Sequence, residues 1–369
     1  MMLRNVIAAL LAGSATIGLS ACATPGSGGM AGTHGASRAP QGQPGIPFSG
    51  ARPVASNQAV IDALMQLGLR PYHTLEPVEA RLQPSFADGV KEVLRQQGKP
   101  SSPPPGVTAR EISVRGAAGM LNARMYKPDG ATGRLPVIVY FHGGGWVIAD
   151  SMVYDASARA LAREARAIVI SVDYRRAPEA KFPAQHDDAL AAYRFVTQNA
   201  TSMGGDPRNV ALAGESAGGG LAVATAIAAR DAGLPRPKAI LSVYPIAGTD
   251  LNTPSYRENA NAMPLNRAAM AWFLHHTLRS PADAADPRVN LVAANLSGLP
   301  PVTIVQAQID PLRSEGTALA ERLRAAGVQV ATREYPGVTH EFFGADALIP
   351  EARQAQAFAG QQLRAAFGR

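Results

Sequence analysis

Three residue types make a hydrolytic nucleophile when they occur together: a serine, a histidine to take its proton, and a carboxylate to orient the histidine. The segment NVALAGESAGGGLAVATAI (209–227) supplies the first. Ser216 lies between Gly214 and Gly218, after a short apolar run and before an alanine-rich stretch that reads as helix. That spacing is the nucleophile elbow, a tight strand-to-helix turn that lifts a hydroxyl above a sheet. The segment YFHGGGW (140–146) follows another apolar run. Consecutive glycines there leave backbone N–H groups unshielded, which suits them to hold an oxyanion.

The serine must find its partners downstream, because sheets of this kind carry them in the order Ser, Asp or Glu, His. VQAQIDPLRSEG places Asp310 at the end of a strand, and REYPGVTHEFFG places His340 in the loop after the next strand. Asp250, Asp283 and Asp286 also follow Ser216, as do His275 and His276, but all five fall in one long connection between strands. The two histidines read there as surface or packing residues.

Eight strand segments are expected: 110–116, 121–128, 136–142, 167–174, 209–214, 238–245, 301–308 and 328–336. The first two alternate apolar and polar residues, as an antiparallel pair with one wet face does. Those that follow are continuous apolar runs, as a parallel sheet covered on both faces requires. Helices near 154–166, 184–200, 216–232, 314–326 and 350–367 alternate with them. The pattern is α/β, a doubly wound and mostly parallel sheet. Two segments fall outside it. From Asn57 a helical face carries Val60, Ile61, Leu64, Met65 and Leu67, and a second helical pattern runs near 78–97 until Pro100 and Pro103–Pro105. The connection after 245 exceeds the usual length of a loop. The expectation is a helical cap formed by about 57–105 and 247–298 over a domain of 57–369.

The amino-terminal residues read differently. Arg4, the apolar stretch 6–19 and the small residues that follow form a signal peptide, 1–21, too short for a membrane span. Leu19-Ser20-Ala21-Cys22 resembles the lipobox of bacterial lipoproteins, in which the cysteine is lipidated. Cys22 is the only cysteine of the chain. Residues 22–56, rich in Gly, Pro, Ser and Ala, read as a disordered tether. The expectation is a lipid-anchored envelope protein with a membrane as partner. A plain signal peptide, cut after Ala23 to release a periplasmic or secreted protein, is the alternative.

The 369 residues carry a net charge of +7 in dispersed arginines, without a basic stripe, so no nucleic-acid partner is expected. With one cysteine and no HExxH-type spacing, neither a disulfide nor a metal is expected.

HGGGW (142–146), VDYRRAPE (172–179), FPA (182–184), GESAGG (214–219), DPLRSEG (310–316) and the His340 loop together resemble the hormone-sensitive-lipase family of α/β-hydrolases, over about 57–369. The resemblance implies the α/β-hydrolase fold with a helical cap and a serine carboxylesterase acting through an acyl-enzyme, with no cofactor. Short- to medium-chain esters are the implied substrates. It implies Ser216, Asp310 and His340 as triad and the N–H groups of Gly144, Gly145 and Ala217 as oxyanion hole. Glu215 stands where many members have Asp. Ser314 replaces a common Asp and is expected to cap the following helix, while Gly220 replaces a usual Asn and is expected to loosen the first helical turn. A sugar-ester deacetylase or amidase is the nearest rival activity. A non-catalytic binder on the same fold is the more distant one.

Overall fold

The computed structural model describes residues 51–369. The expected signal peptide, Cys22 and most of the expected tether lie outside the described residues. In chain order the elements are α1 (Ala55–Gln66), α2 (Pro77–Ala80), α3 (Phe86–Gln96), β1 (Val107–Arg115), β2 (Met120–Pro128), β3 (Leu135–Phe141), α4 (Asp155–Ala165), β4 (Ile168–Val172), α5 (Ala184–Asn199), β5 (Gly205–Glu215) and α6 (Ala217–Asp231). They continue with β6 (Ile240–Val243), α7 (Pro254–Glu258), α8 (Arg267–Thr277), β7 (Val302–Ile309), α9 (Arg313–Ala325), β8 (Val330–Thr339) and α10 (Pro350–Ala366).

The strands form a single sheet in the order β1-β2-β4-β3-β5-β6-β7-β8. β1 and β2 pair antiparallel, and β2 meets β4 antiparallel. Every pairing from β4 onward is parallel. Burial follows this division: β3, β4 and β6 are buried at every residue, whereas β1 is exposed at most of its length. Along β3, Val137, Val139 and Phe141 join a core with α5, α6, α8 and α9, while Ile138 and Tyr140 join one with α1, α3, α4 and α10. The period of two in a strand thus builds both faces from one apolar run. The sheet is the mostly parallel one that the strand and helix patterns predict, and the architecture is the α/β-hydrolase fold that the resemblance implies.

The amino-terminal helices depart from the sequence reading in detail. Helix α1 buries Val60, Ile61 and Leu64, but Met65 and Leu67 are exposed. The pattern at 78–97 is two helices rather than one, because Ser85 starts α3 with a reciprocal bond to Asp88, its side chain accepting from the Asp88 N–H at 3.2 Å. The chain is also ordered before residue 57, since α1 begins at Ala55 and the Val54 N–H bonds the Gly337 carbonyl at 2.7 Å.

The two segments expected as a cap meet each other. The Trp272 indole N–H of α8 donates to the Leu75 carbonyl at 3.1 Å, and the Tyr72 and Phe273 rings lie 5.8 Å apart.

Candidate active site

The carboxyl ends of parallel strands are where an open α/β sheet presents side chains to a crevice. Ser216 stands at the end of β5, at the junction with α6, with φ 56° and ψ −119°. That backbone is sterically costly for any side-chain-bearing residue. It persists because the turn is clamped: the Ser216 N–H donates to Val243 O at 2.9 Å, and Ser216 O accepts from Gly220 and Ile246, each at 3.1 Å. The clamp needs close backbones, and a Cβ on Gly218 would sit 1.9 Å from the Phe141 carbonyl oxygen. Gly220 is held likewise, since a Cβ there would lie 2.4 Å from Ile246 O. The expected loosening at Gly220 is therefore corrected: the glycine lets α6 pack against the 246 backbone.

β7 ends next to Asp310 and β8 ends next to His340, so the sheet brings both to Ser216. His340 Nε2 lies 2.9 Å from Ser216 Oγ, and His340 Nδ1 lies 2.7 Å from Asp310 Oδ2. The other Asp310 oxygen accepts the Leu312 N–H at 2.8 Å, which fixes the carboxylate. All three residues are buried. Burial works against charge on His340, but Asp310 and the nearby Glu341 and Glu215 outweigh it and hold the imidazole above its ordinary value. The rival acids are engaged elsewhere: Asp283 pairs with Arg279, Asp286 with Arg288, and Asp250 accepts the Asn252 N–H at 2.9 Å. His275 is exposed, and His276 packs on Trp272 at 4.4 Å between ring centroids.

Gly144 and Gly145, at φ 92° and 57°, turn the loop after β3 toward Ser216. Among the described residues, the backbone N–H groups of Gly144, Gly145 and Ala217 have no partner. Ser216, His340, Gly144 and Gly145 all line one cleft. Its other walls are mostly apolar and come largely from the two segments expected as a cap, with Leu64, Leu69 and Phe86 from the first and Leu265, Met270 and Phe273 from the second, while Arg81, Gln83, Tyr154 and Glu341 add polar groups.

Several contacts at the site were not read from the sequence. Asn57 of α1 exchanges bonds with Thr339: its side-chain N–H donates to Thr339 Oγ1 at 2.9 Å, and its oxygen accepts the Thr339 N–H at 3.1 Å. It thereby holds the residue before His340. Glu215 accepts from the Tyr140 and Tyr244 hydroxyls, each at 2.5 Å. Burial nevertheless lifts its carboxyl to about 7. Glu315, buried and lifted by burial to about 8, accepts the Ala247 and Gly248 N–H groups at 2.8 and 2.9 Å, where the long connection begins. Glu341 follows His340 directly, a position a scan for triad residues passes over. Ser314, expected as a cap, lies within α9 and exchanges bonds with Ser255 instead.

A family model described as alpha/beta hydrolase fold matches residues 138–344. Carboxylesterase NlhH of Mycobacterium tuberculosis is 40% identical over 296 residues, covering 76% of this chain and 92% of that protein. An ethyl acetate hydrolase of Pseudomonas putida is 32% identical over 287 residues, covering 76% and 88%. Among solved structures, a thermostable esterase from Pseudomonas putida superposes with a TM-score of 0.78 at 28% identity, over 88% of this chain and 99% of that one. A hyperthermophilic esterase from Pyrobaculum calidifontis gives 0.76 at 34%, over 85% and 98%.

Proposed function

This chain belongs to the α/β-hydrolase family matched across residues 138–344, and we propose that it hydrolyses carboxylic esters with Ser216 as the nucleophile. The observation that carries the reading is the bonded series Asp310–His340–Ser216 at a mostly apolar cleft that Gly144 and Gly145 also line, with the backbone N–H groups of Gly144, Gly145 and Ala217 unpartnered among the described residues. His340 takes the Ser216 proton as Oγ attacks the ester carbonyl. Asp310 keeps the Nδ1–H tautomer, so that Nε2 is free to accept. The oxyanion rests on the N–H groups of Gly144, Gly145 and Ala217. The alcohol leaves with the proton from Nε2, and water then releases the acid from Ser216.

Short to medium acyl chains are the preferred substrates. Each methylene gains about 0.8 kcal/mol only while apolar wall remains to cover it. Here the Leu64–Phe86 and Leu265–Phe273 sides of a cap close over the cleft. The test is a series of aryl esters of increasing acyl length, with Ser216→Ala as control. Rates are expected to peak at short to medium length and to vanish in the variant. Faster cleavage of long-chain triglycerides than of butyrate or hexanoate esters would overturn the preference.

For location, the proposal is a signal peptide at 1–21 and lipidation at Cys22, supported by Leu19-Ser20-Ala21-Cys22 and by the placing of the sole cysteine there. Two or more acyl chains at that residue hold a protein stably on a bilayer. Fractionation of wild type against Cys22→Ala, with mass spectrometry of the amino-terminal peptide, tests it. An unmodified amino terminus in a freely soluble protein would reject it without touching the esterase reading.

A further inference from the structure

His340 is flanked by two carboxylates, and the mechanism above uses one. Glu341 is turned back toward the imidazole by a left-handed backbone, φ 74°, in which glycine would be unstrained. Its Oε1 lies 3.9 Å from His340 Nε2, too far for a direct hydrogen bond. The same oxygen accepts the Tyr154 hydroxyl at 2.6 Å, which holds it in place. Glu341 and Tyr154 line the catalytic cleft and also a second, smaller cavity, with Glu215 and Ser157 on its wall. The second carboxylate thus stands between the reacting groups and a space whose mostly apolar wall carries the polar groups of Tyr154, Ser157 and Glu215.

Two acceptors 3.9 Å apart can both be reached by one water lying about 2.8 Å from each. We propose that Glu341 positions the water that deacylates Ser216, by accepting the hydrogen that His340 does not take. This inference rests on the serine mechanism proposed above. In the acyl-enzyme Oγ is esterified, so Nε2 loses its serine partner and accepts one O–H of the water. Glu341 accepts the other O–H and keeps it as a hydrogen bond. The water oxygen attacks the acyl carbon as its first proton passes to Nε2. The C–Oγ bond then breaks, Oγ recovers that proton from Nε2, and the carboxylic acid departs.

This role has a signature that a general loss of fit lacks. Methanol has one O–H, which goes to His340, and nothing to give Glu341. Hydrolysis of the acyl-enzyme should therefore depend on Glu341, and methanolysis should not. A hydrogen bond to a charged group carries about a tenfold to hundredfold effect on rate.

The experiment follows a p-nitrophenyl ester by stopped flow in wild type, Glu341→Gln and Glu341→Gly, with and without methanol. The glycine variant suits the local backbone, so its burst amplitude reports a folded site. Expected for both variants are a burst of one nitrophenolate per enzyme, acylation within about threefold of wild type, and deacylation by water slowed by about tenfold or more. The ratio of methyl ester to acid should rise by about the same factor. Acylation and deacylation falling together with an unchanged product ratio would overturn the proposal, as would deacylation at the wild-type rate. Absence of acyl-Ser216 in the wild type is a different failure, because it would remove the serine mechanism itself.

Discussion

Gly145→Ala probes the oxyanion loop where it packs against Phe273. An ideal Cβ at Gly145 would lie 2.3 Å from Cγ and Cδ1 of Phe273. Ordinary carbon contacts begin near 3.5 Å, so loop and ring must separate by about 1.2 Å. A left-handed φ of 57° adds about 1–2 kcal/mol of strain for a residue with a Cβ. A donor displaced by about 1 Å loses its bond to the oxyanion, and loss of one such donor costs about 10²–10³ in kcat. The oxyanion exists only beyond the ground state, so KM should change little. Steady-state kinetics on an aryl ester reads both constants, and a thermal melt reads the strain. Phe273→Ala in the same chain removes the ring that forces the shift, so Gly145→Ala/Phe273→Ala should regain at least about tenfold in kcat over Gly145→Ala. If Gly145→Ala keeps kcat within about threefold, Gly145 N–H is not an oxyanion donor. If the double variant is no faster than the single, the contact with Phe273 is not what displaces it.

Asp310→Asn should lower kcat/KM by about 10³–10⁴, since an amide facing Nδ1 favours the tautomer whose Nε2 cannot accept the serine proton. The acid limb of the pH–rate profile should also move to lower pH, because Asp310 supports the raised His340 pKa. Asn57→Ala leaves the buried Thr339 N–H unpaired and should cost about 1–3 kcal/mol in urea unfolding, with a fall in kcat from the loosened His340 loop. Glu215 ties stability to pH. Its folded value of about 7 exceeds the ordinary 4.5, so the native state keeps a proton that the unfolded chain releases. That contribution is complete below about pH 4.5 and is lost as pH rises to about 7, a change of about 3 kcal/mol. The stability of wild type relative to Glu215→Gln, measured by urea unfolding, should fall by up to that amount across this range. A flat difference would refute the assignment.

The sheet was legible because its signals are local. A run such as PVIVY cannot be half solvated, and the alternation in LNARMYKP suits an edge pair with one wet face. Ser216, Asp310 and His340 were legible because strand ends converge, so three distant positions needed only a chain order and a strand before each. Contacts set by tertiary packing were not legible. Nothing around Asn57 announces Thr339, more than 280 residues away, and Ser314 reads as a cap until Ser255 is seen to claim it. Gly220 reads as a flaw in a helix until the Ile246 carbonyl is found against it. Met65 and Leu67 continue an apolar face that the fold leaves in water. Glu341 was hidden by its neighbour: an acid beside a histidine has no meaning in sequence until φ 74° points it back at the ring.

The central claim is that Ser216 carries the acyl group, and covalent labelling tests it most directly. An active preparation treated with a fluorophosphonate should lose ester turnover as one equivalent is bound. Peptide mass mapping should place that equivalent on Ser216, and Ser216→Ala should neither label nor turn over. Label on another serine accompanied by loss of activity, or full turnover in Ser216→Ala, would contradict the account.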